Sequence, residues 1–212
     1  MAQGKIILVG GGAFARELLS WILDASDVNA LPPVTGYLDD NADAFTGFPG
    51  ADVTWLGTPS DYQPQDGDLF AIAIGDTGAK ASTCAALAAK GGKFLTVVHP
   101  SAVVSRSAKL GTGVVVGPNS YIATHAILGD YVCVNSLTGI GHDAVIGASA
   151  TISSQVDVTG GVTVGEKVFI GSGARLLPRI SVGANARIGA GAVVVRSVKP
   201  DTTMFAKPAG KL

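Results

Sequence analysis

Three histidines, His99, His125 and His142, are the side chains of this sequence best suited to proton transfer near neutral pH. His142 is followed directly by Asp143, and a carboxylate beside an imidazole orients the ring for work as a base. His142 is therefore a candidate general base, and an exposed histidine without a catalytic role is the alternative. His99 precedes Pro100, and for it we expect a structural role.

A glycine-rich segment, Gly10-Gly11-Gly12-Ala13-Phe14-Ala15, follows a strand-like apolar run and precedes a helix-like one. It approximates the pattern G-x-G-x-x-[GA], in which backbone amides at a helix N-terminus hold a phosphate. Asp39 lies further along the chain from Gly10 than the spacing of about 20 that is typical of NAD sites. We therefore favour a nucleotide-sugar diphosphate or a nucleoside over NAD as the ligand. A tight turn that binds no ligand is the alternative.

Gly75 and the pair Asp39-Asp40 also follow strand-like runs. Because the carboxyl ends of parallel strands meet at one edge of a sheet, we expect them to share a crevice with the glycine-rich segment. The two carboxylates are candidates for hydrogen bonds to a base or a ribose. A solvated turn is the alternative for both.

The elements that would position these residues fall into two groups. In the N-terminal part of the chain, strand-like and helix-like segments alternate, which predicts a small parallel sheet with helices packed on it. The predicted strands cover residues 5–10, 34–38, 53–56 and 68–75, and the predicted helices cover 13–23 and 77–90. Residues 94–98 lead into the second part of the chain. We assign residues 1–96 to this α/β domain.

The remaining chain follows a period of six. From Val98 to Val194 every sixth residue is aliphatic, and a smaller residue precedes nearly every one by two positions. This period fits neither a helix nor a hairpin meander, and it predicts short parallel strands that form the three sides of a β-helix. Glycine follows many of the aliphatic residues, and we expect it to supply the unusual backbone angles of the corners. The β-helix covers residues 97–198, and the tail 199–212 covers its last coil.

The composition restricts the function classes. The net charge is −1 without a basic block, which argues against a nucleic-acid partner. No apolar run reaches the length of a membrane span, so we expect no membrane insertion. Cys84 and Cys133 are far apart and favour two free thiols in a reducing cytoplasm. Charged residues make up only 15% of the chain, which indicates side-by-side association of β-helices.

A metal site is disfavoured by the spacing of the histidines. The γ-class carbonic anhydrases also contain a left-handed β-helix, and they bind zinc with two histidines close together in one coil. Here the two histidines nearest in sequence, His125 and His142, are separated by almost a full coil. We therefore expect no metal cofactor.

The sequence resembles the bacterial nucleotide-aminosugar N-acetyltransferases and the related sialic-acid-type O-acetyltransferases. Six segments carry the resemblance in order: 7–16 (ILVGGGAFAR), 36–40 (GYLDD), 71–76 (AIAIGD), 97–102 (VVHPSA), 141–147 (GHDAVIG) and 207–209 (KPA). The resemblance implies a small Rossmann-like N-terminal domain that binds the nucleotide sugar, joined to a left-handed β-helix. It also implies a homotrimer, with acetyl-CoA as acyl donor in the groove between β-helices.

The same resemblance assigns roles to single residues. It implies that His142 is the general base, supported by Asp143. It also implies that Asn135 lies near the acceptor, nearly stacked on the corner of His142 one coil below. Thr151 takes the place of a family histidine that contacts the cofactor, and Phe14 takes the place of another family histidine. Ser172 and Ala190 match positions that line the CoA groove, and their spacing of one full coil stacks them on one face.

The implied acceptor is the 4-amino group of a nucleotide-linked 4-amino-4,6-dideoxysugar. His142 would take the proton of the attacking amine, and a backbone N–H of Gly160 or Gly161 would stabilise the oxyanion. O-acetylation of a sialic-acid-like sugar and a non-catalytic binding role remain as alternatives. The nucleotide is open among GDP, UDP and dTDP, with a preference for GDP-perosamine from the likeness of the whole chain.

Overall fold

The computed structural model describes residues 4–45 and 53–207 as a parallel α/β unit followed by a parallel β-helix. The α/β unit contains strands β1 (Lys5–Val9), β2 (Val34–Leu38), β3 (Thr54–Trp55), β4 (Asp68–Ile72) and β5 (Lys93–Phe94). Helix α1 (Ala13–Asn29) follows β1, and helix α2 (Thr77–Ala89) follows β4. The strands form one parallel sheet in the order β3-β2-β1-β4-β5.

Strand β1 is buried on both faces because each helix covers one of them. Ile6 and Leu8 pack with residues of α1, whereas Ile7 and Val9 pack with Cys84 and Leu87 of α2. Helix α1 continues to Asn29, well beyond the end predicted from the sequence. The polar residues near its C-terminus suggested an earlier end, but the buried side chain of Ala25 extends the packed stripe.

The β-helix has three flat faces. The first face contains β6 (Val97–Val98), β9 (Val115–Val116), β12 (Cys133–Val134), β15 (Thr151–Ile152), β18 (Phe169–Ile170), β21 (Arg187–Ile188) and β23 (Thr203–Met204). The second face contains β7 (Val103–Val104), β10 (Tyr121–Ile122), β13 (Gly139–Ile140), β16 (Asp157–Val158), β19 (Arg175–Leu176) and β22 (Val193–Val194). The third face contains β8 (Lys109–Leu110), β11 (Ile127–Leu128), β14 (Val145–Ile146), β17 (Thr163–Val164) and β20 (Ser181–Val182).

The predicted period of six is confirmed by the interior of the β-helix. Each face stacks strands from successive coils, as in the pairing of Cys133 with Thr151. The aliphatic residue of each repeat points inward, and so does the residue two positions before it, as Val114 and Val116 illustrate. The narrow interior therefore admits aliphatic side chains, which explains why the β-helix contains few aromatic residues.

Glycine is required after the aliphatic residues for a different reason from the one expected. A Cβ atom on Gly147 would lie 2.5 Å from the backbone nitrogen of Glu166 in the next coil. Close stacking of the coils therefore excludes a side chain there, although the backbone of Gly147 is not in the left-handed region. The left-handed residues lie two positions later, as at Ser149 (φ 58°) and Asp143 (φ 59°).

The described part of the tail covers the end of the first face, as expected. Thr203 and Met204 pair in parallel with Arg187 and Ile188. Residues 208 and 209 of the KPA segment lie outside the described residues. None of the helices in the described ranges is long and apolar enough to cross a lipid bilayer.

The α/β unit packs against the first face. The first four strands of this face have buried outward side chains, which are Val97, Val115, Cys133 and Thr151. Val97, Val115 and Cys133 share an apolar cluster with Trp21 of α1. The edge between the second and third faces lies on the opposite side of the triangular cross-section, away from the α/β unit.

Candidate active site

His142 lies on that opposite edge, between β13 and β14. Its Nδ1 atom is 2.7 Å from the Asp143 Oδ2 atom. Because an ionised carboxylate can only accept a hydrogen bond, this contact leaves Nδ1 protonated and directs the lone pair of a neutral ring to Nε2. The left-handed backbone of Asp143 and its N–H bond to Thr124 O (3.0 Å) hold the carboxylate in place. The predicted pair of His142 and Asp143 therefore has the geometry of an oriented base.

The imidazole of His142 lies directly over Gly160, which occupies the same position in the next coil. A Cβ atom on Gly160 would be 2.4 Å from His142 Nε2, so only glycine leaves room for the ring in this orientation. The N–H of Gly161 donates to His142 O (2.8 Å), whereas the N–H of Gly160 has no acceptor among the described residues. Of the two candidate oxyanion donors, Gly160 is thus the one with a free N–H.

The other two histidines are placed differently. His99 Nε2 is 3.0 Å from Asp24 Oδ2 of α1, and its Nδ1 is 2.8 Å from Ser101 Oγ. These contacts tie α1 to the first coil, which fits the expected structural role. His125 lies one coil before Asp143 on the same edge, and its backbone N–H donates to Ser107 Oγ (3.1 Å).

A second feature is a crevice at the carboxyl ends of β1 and β4. These neighbouring strands continue to opposite sides of the sheet, so the crevice lies at the topological switch point, where ligands bind in open α/β sheets. Among residues 4–45 and 53–207, no atom lies within 4 Å of a Cβ added to Gly12 or Gly75. The first amides of α1, at Ala13 and Phe14, have no intrahelical acceptor because of their position. Gly12 and Gly75 therefore border open space, whereas Gly11 packs closely against Ala44 and the ring of Phe14 packs against Trp21.

The two aspartates after β2 have separate roles. Asp39 Oδ2 accepts a hydrogen bond from Gly11 N (2.7 Å), and its Oδ1 accepts one from Asn41 N (2.8 Å). Asp39 therefore holds the glycine-rich segment, which differs from the expected contact with a base or a ribose. Asp40 instead lines a cavity of about 260 Å³ with Pro59, Ser60, Ser82, Thr83 and Ala86.

The remaining predicted site residues lie elsewhere on the β-helix. Asn135, Ser172 and Ala190 follow strands of the first face, at the edge between the first and second faces. Ser172 and Ala190 are stacked as expected, since Gly191 N donates to Ser172 O in the preceding coil (2.8 Å). Asn135 was expected at the corner of His142. It lies instead at the preceding corner of the triangular coil, because it follows β12 rather than β13.

Thr151 does not fit the expected contact with the cofactor. It is only 3% exposed, because the α/β unit covers it. Its hydroxyl donates to Gly75 O (3.0 Å) and accepts a hydrogen bond from Lys80 Nζ (2.8 Å). The side chain is therefore part of the junction between the two units.

Sequence reasoning missed Lys80, which is only 1% exposed. A lysine in an alanine-rich helix is usually solvated, and the neighbouring residues of α2 do not indicate that the β-helix covers it. Burial lowers the pKa of Lys80, while Cys133, Cys84 and Asp76 act in the opposite direction. The same environment raises the pKa of Cys84 to about 12 and that of Cys133 to about 11.

The buried amine predicts a pH-dependent stability difference. Because the pKa of Lys80 is lower in the folded chain than the value of about 10.4 in the unfolded chain, the unfolded chain binds more protons between these two values. The contribution of Lys80 to the free energy of unfolding therefore rises with pH across this window. The thiols act oppositely, because their folded pKa values are raised, but they are present in both wild type and Lys80→Met.

Urea unfolding of wild type and Lys80→Met between about pH 7 and pH 10 measures this difference. We expect the free energy of unfolding of wild type, relative to that of the variant, to increase with pH. Parallel pH profiles would show that the amine titrates alike in the folded and unfolded chains.

Within one chain, the crevice and His142 lie on opposite sides of the β-helix. The crevice is joined to the first face through Gly75 and Thr151, whereas His142 is on the edge opposite that face. The side chain of His142 is 67% exposed. Among the described residues, no group of three or more His, Cys, Asp and Glu side chains is arranged to hold a metal ion.

Comparisons with known proteins agree with the resemblance noted in the sequence. Residues 161–196 match the family model described as bacterial transferase hexapeptide (six repeats). The chain is 30% identical over 116 residues to UDP-N-acetylbacillosamine N-acetyltransferase from Bacillus subtilis (strain 168). That match covers 53% of this chain and 50% of the relative, so the aligned part spans about half the length of the relative.

Two solved structures are similar over nearly the whole chain. PerB from Caulobacter crescentus, in complex with CoA and GDP-perosamine, has a TM-score of 0.87 at 28% identity and covers 99% of this chain and 97% of its own. The acetyltransferase domain of PglB from Neisseria gonorrhoeae FA1090, in complex with acetyl coenzyme A, has a TM-score of 0.85 at 26% identity and covers 100% of both chains. The resemblance to nucleotide-aminosugar N-acetyltransferases is thus confirmed.

Proposed function

We propose that this chain is an acetyl-CoA-dependent N-acetyltransferase that acts on the 4-amino group of a nucleotide-linked 4-amino-4,6-dideoxysugar. The observation that carries the proposal is the oriented imidazole of His142, which lies over Gly160 in the next coil. Acyl transfer to an amine requires a general base and an oxyanion donor, and we assign these roles to His142 and to the N–H of Gly160. The acetyltransferases that resemble the chain support the same reaction.

The chemistry follows from these two groups. Acetyl-CoA supplies an activated thioester, whose thiolate leaves without a strong acid. His142 Nε2 accepts a proton from the amine as the nitrogen attacks the acetyl carbonyl carbon, and Asp143 stabilises the imidazolium that results. The N–H of Gly160 donates to the carbonyl oxygen as negative charge develops on it. No covalent enzyme intermediate is needed.

The acceptor belongs in the crevice of the α/β unit, which we assign as a Rossmann-like nucleotide-sugar domain covering residues 1–96. The amides of Ala13 and Phe14 begin helix α1 beside the open space at Gly12, and a helix N-terminus of this kind favours a diphosphate. Asp40 and the hydroxyl groups around it line a neighbouring cavity that suits the nucleoside. GDP-perosamine is our preferred acceptor, because PerB was crystallised with it and resembles the chain along its length.

The separation of the crevice from His142 supports a homotrimer. The second and third faces flank the edge of His142 and expose large apolar side chains: Val103 and Tyr121 on one, Ile127 and Val145 on the other. If these faces pack against other copies, the α/β unit of a neighbouring copy brings its acceptor to His142. We assign the β-helix to residues 97–198 with a left-handed sense, and the groove between copies to acetyl-CoA, with Ser172 and Ala190 along it. A cytoplasmic location, expected from two free cysteines, completes the proposal.

Mixing two inactive variants tests whether the site is shared between copies. His142→Ala removes the base, and Gly12→Leu fills the crevice, where a Cβ meets no atom within 4 Å. Each variant alone is expected to be inactive, but a cyclic trimer that contains both variants has one intact site among its three. Coexpression of differently tagged chains, followed by purification of mixed oligomers, measures the recovery. Mixed oligomers without activity would place both halves of the site in one chain.

The activity itself is tested with purified protein, acetyl-CoA and matched acceptors. Release of free CoA thiol is followed with GDP- and UDP-linked 4-amino-4,6-dideoxysugars and with analogues that carry a hydroxyl instead of the amine. We expect turnover of the amines and a preference for the GDP sugar. Turnover of the hydroxyl acceptors alone would assign the chain to O-acetylation. Binding of nucleotide sugar without turnover of any acceptor would assign it to a non-catalytic role.

A further inference from the structure

The buried amine of Lys80 takes no part in the proposed chemistry, yet it is held by defined contacts. Its Nζ donates to Ala150 O (3.0 Å) and to Thr151 Oγ1 (2.8 Å). Both acceptors belong to the β-helix, whereas Lys80 belongs to α2 of the α/β unit. The amine therefore forms a polar connection between the two units in an environment where an unsatisfied donor would be costly.

Thr151 extends this connection to the crevice. Because its hydroxyl oxygen accepts the N–H of Lys80, its own proton is directed to Gly75 O (3.0 Å). The next residue, Asp76, caps α2 by accepting a hydrogen bond from Ala79 N (2.8 Å). The wall of the crevice, the start of α2 and strand β15 are thus joined through one hydroxyl group.

A second polar contact, between His99 Nε2 and Asp24 Oδ2, ties α1 to the first coil at a partly exposed position, and apolar contacts complete the described junction. Trp21 of α1 packs with Val97, Val115 and Cys133 of the first face, and these apolar contacts have no strong directional preference. Small sliding movements leave such contacts nearly intact, whereas a hydrogen bond weakens steeply when its angle or distance changes. Of these two polar contacts, the buried one through Thr151 reaches the crevice itself, at Gly75, and it is therefore the contact that orients the crevice.

We propose that Lys80 and Thr151 are positioning residues, which fix the Gly75 wall of the crevice to the β-helix and thereby align the acceptor for acetylation. The inference rests on the proposed function, because alignment matters only if the crevice holds the acceptor. The α/β unit carries the acceptor and a β-helix carries the base. The junction between the two units therefore sets the position of the acceptor relative to the base. A misplacement of about 1 Å costs up to roughly 100-fold in rate.

Thr151→Val tests the proposal, because it keeps the shape of the side chain and removes the hydroxyl. We expect kcat/KM for the acceptor to fall roughly tenfold or more, while the affinity for CoA is unchanged. Thr151→Ser, which keeps the hydroxyl, restores most of the activity. Lys80→Met lowers kcat/KM in the same direction, and the double variant is no worse than Thr151→Val, since both residues act through one connection.

Thr138→Val is the matched control. Thr138 is also buried in the β-helix, and its hydroxyl donates to Ser153 O (2.9 Å), away from the junction. If the loss of any buried threonine hydroxyl lowers stability, both valine variants melt at lower temperature. Only Thr151→Val is expected to change acceptor kinetics, when both are assayed well below their melting temperatures.

Amide hydrogen exchange separates a failure of this inference from a failure of the proposed function. We expect faster exchange in the segment from Gly75 to Lys80 in Thr151→Val than in wild type, whatever the substrate is. Unchanged exchange and unchanged acceptor kinetics in this variant would overturn the positioning role. Faster exchange in a protein that acetylates no aminosugar would support the connection but refute the proposed function.

Discussion

His142→Ala is expected to lower kcat for acetylation of the aminosugar by ~10²- to 10⁴-fold, the usual effect of removing a general base. The reason is that the Nδ1 contact with Asp143 (2.7 Å) holds the ring and leaves Nε2 as the nitrogen that can accept a proton. Because the side chain is largely exposed in the single chain, its loss leaves no buried cavity, and the melting temperature should change little. Initial rates of CoA release at saturating acetyl-CoA measure the effect.

His125→Ala is the matched control for this experiment. His125 lies on the same edge one coil earlier, and its backbone N–H, rather than its ring, makes the contact with Ser107. We expect nearly wild-type turnover for His125→Ala. Asp143→Asn keeps the shape of the partner of His142 but weakens the contact that orients the ring, so an intermediate loss is expected. Equal activity of His142→Ala and wild type would remove His142 from the mechanism.

Much of the β-helix was predictable because its interior imposes a strict local rule. A cross-section that admits one aliphatic residue and one smaller residue per side is visible as a period of six in the sequence. The same stacking explains why Gly147 and its equivalents are glycines, but that cause involves the backbone of the next coil, which is remote in sequence. These glycines are therefore recognisable in the sequence, but the reason for them is visible only in the structure.

The parts of the site that were missed depend on packing between the two units. Lys80 looks like a solvated lysine, and the resemblance assigned Thr151 to the cofactor, but the α/β unit covers both side chains at the first face. Asp39 was expected to contact a ligand, but the return of β2 beside the glycine-rich segment brings its carboxylate to Gly11 N. Asn135 and His142 are close in sequence, yet the corner after each strand turns the chain to another face. Such contacts between distant residues have no local pattern.

Gly160→Ala is expected to lower turnover roughly 100-fold while the fold remains intact. The added Cβ would lie 2.4 Å from His142 Nε2 and 2.7 Å from its Cε1 atom, so the imidazole has to leave its position over residue 160. The side chain of His142 is exposed and able to move, and the backbone of Gly160 is not in the left-handed region. The substitution therefore displaces the base without straining the coil, and it keeps the backbone N–H that we assign to the oxyanion.

Two comparisons make this expectation specific to the collision with the ring. In a His142→Ala background the added Cβ meets no imidazole, so Gly160→Ala should cause little further loss, and the two effects should be far from additive. Gly161→Ala has the opposite signature, because the left-handed backbone at residue 161 (φ 69°) makes alanine cost about 1–2 kcal/mol of stability. We would measure melting temperatures and kcat for Gly160→Ala, His142→Ala, the double variant and Gly161→Ala. Additive losses from Gly160→Ala and His142→Ala would mean that residue 160 influences turnover by a route other than the position of the imidazole.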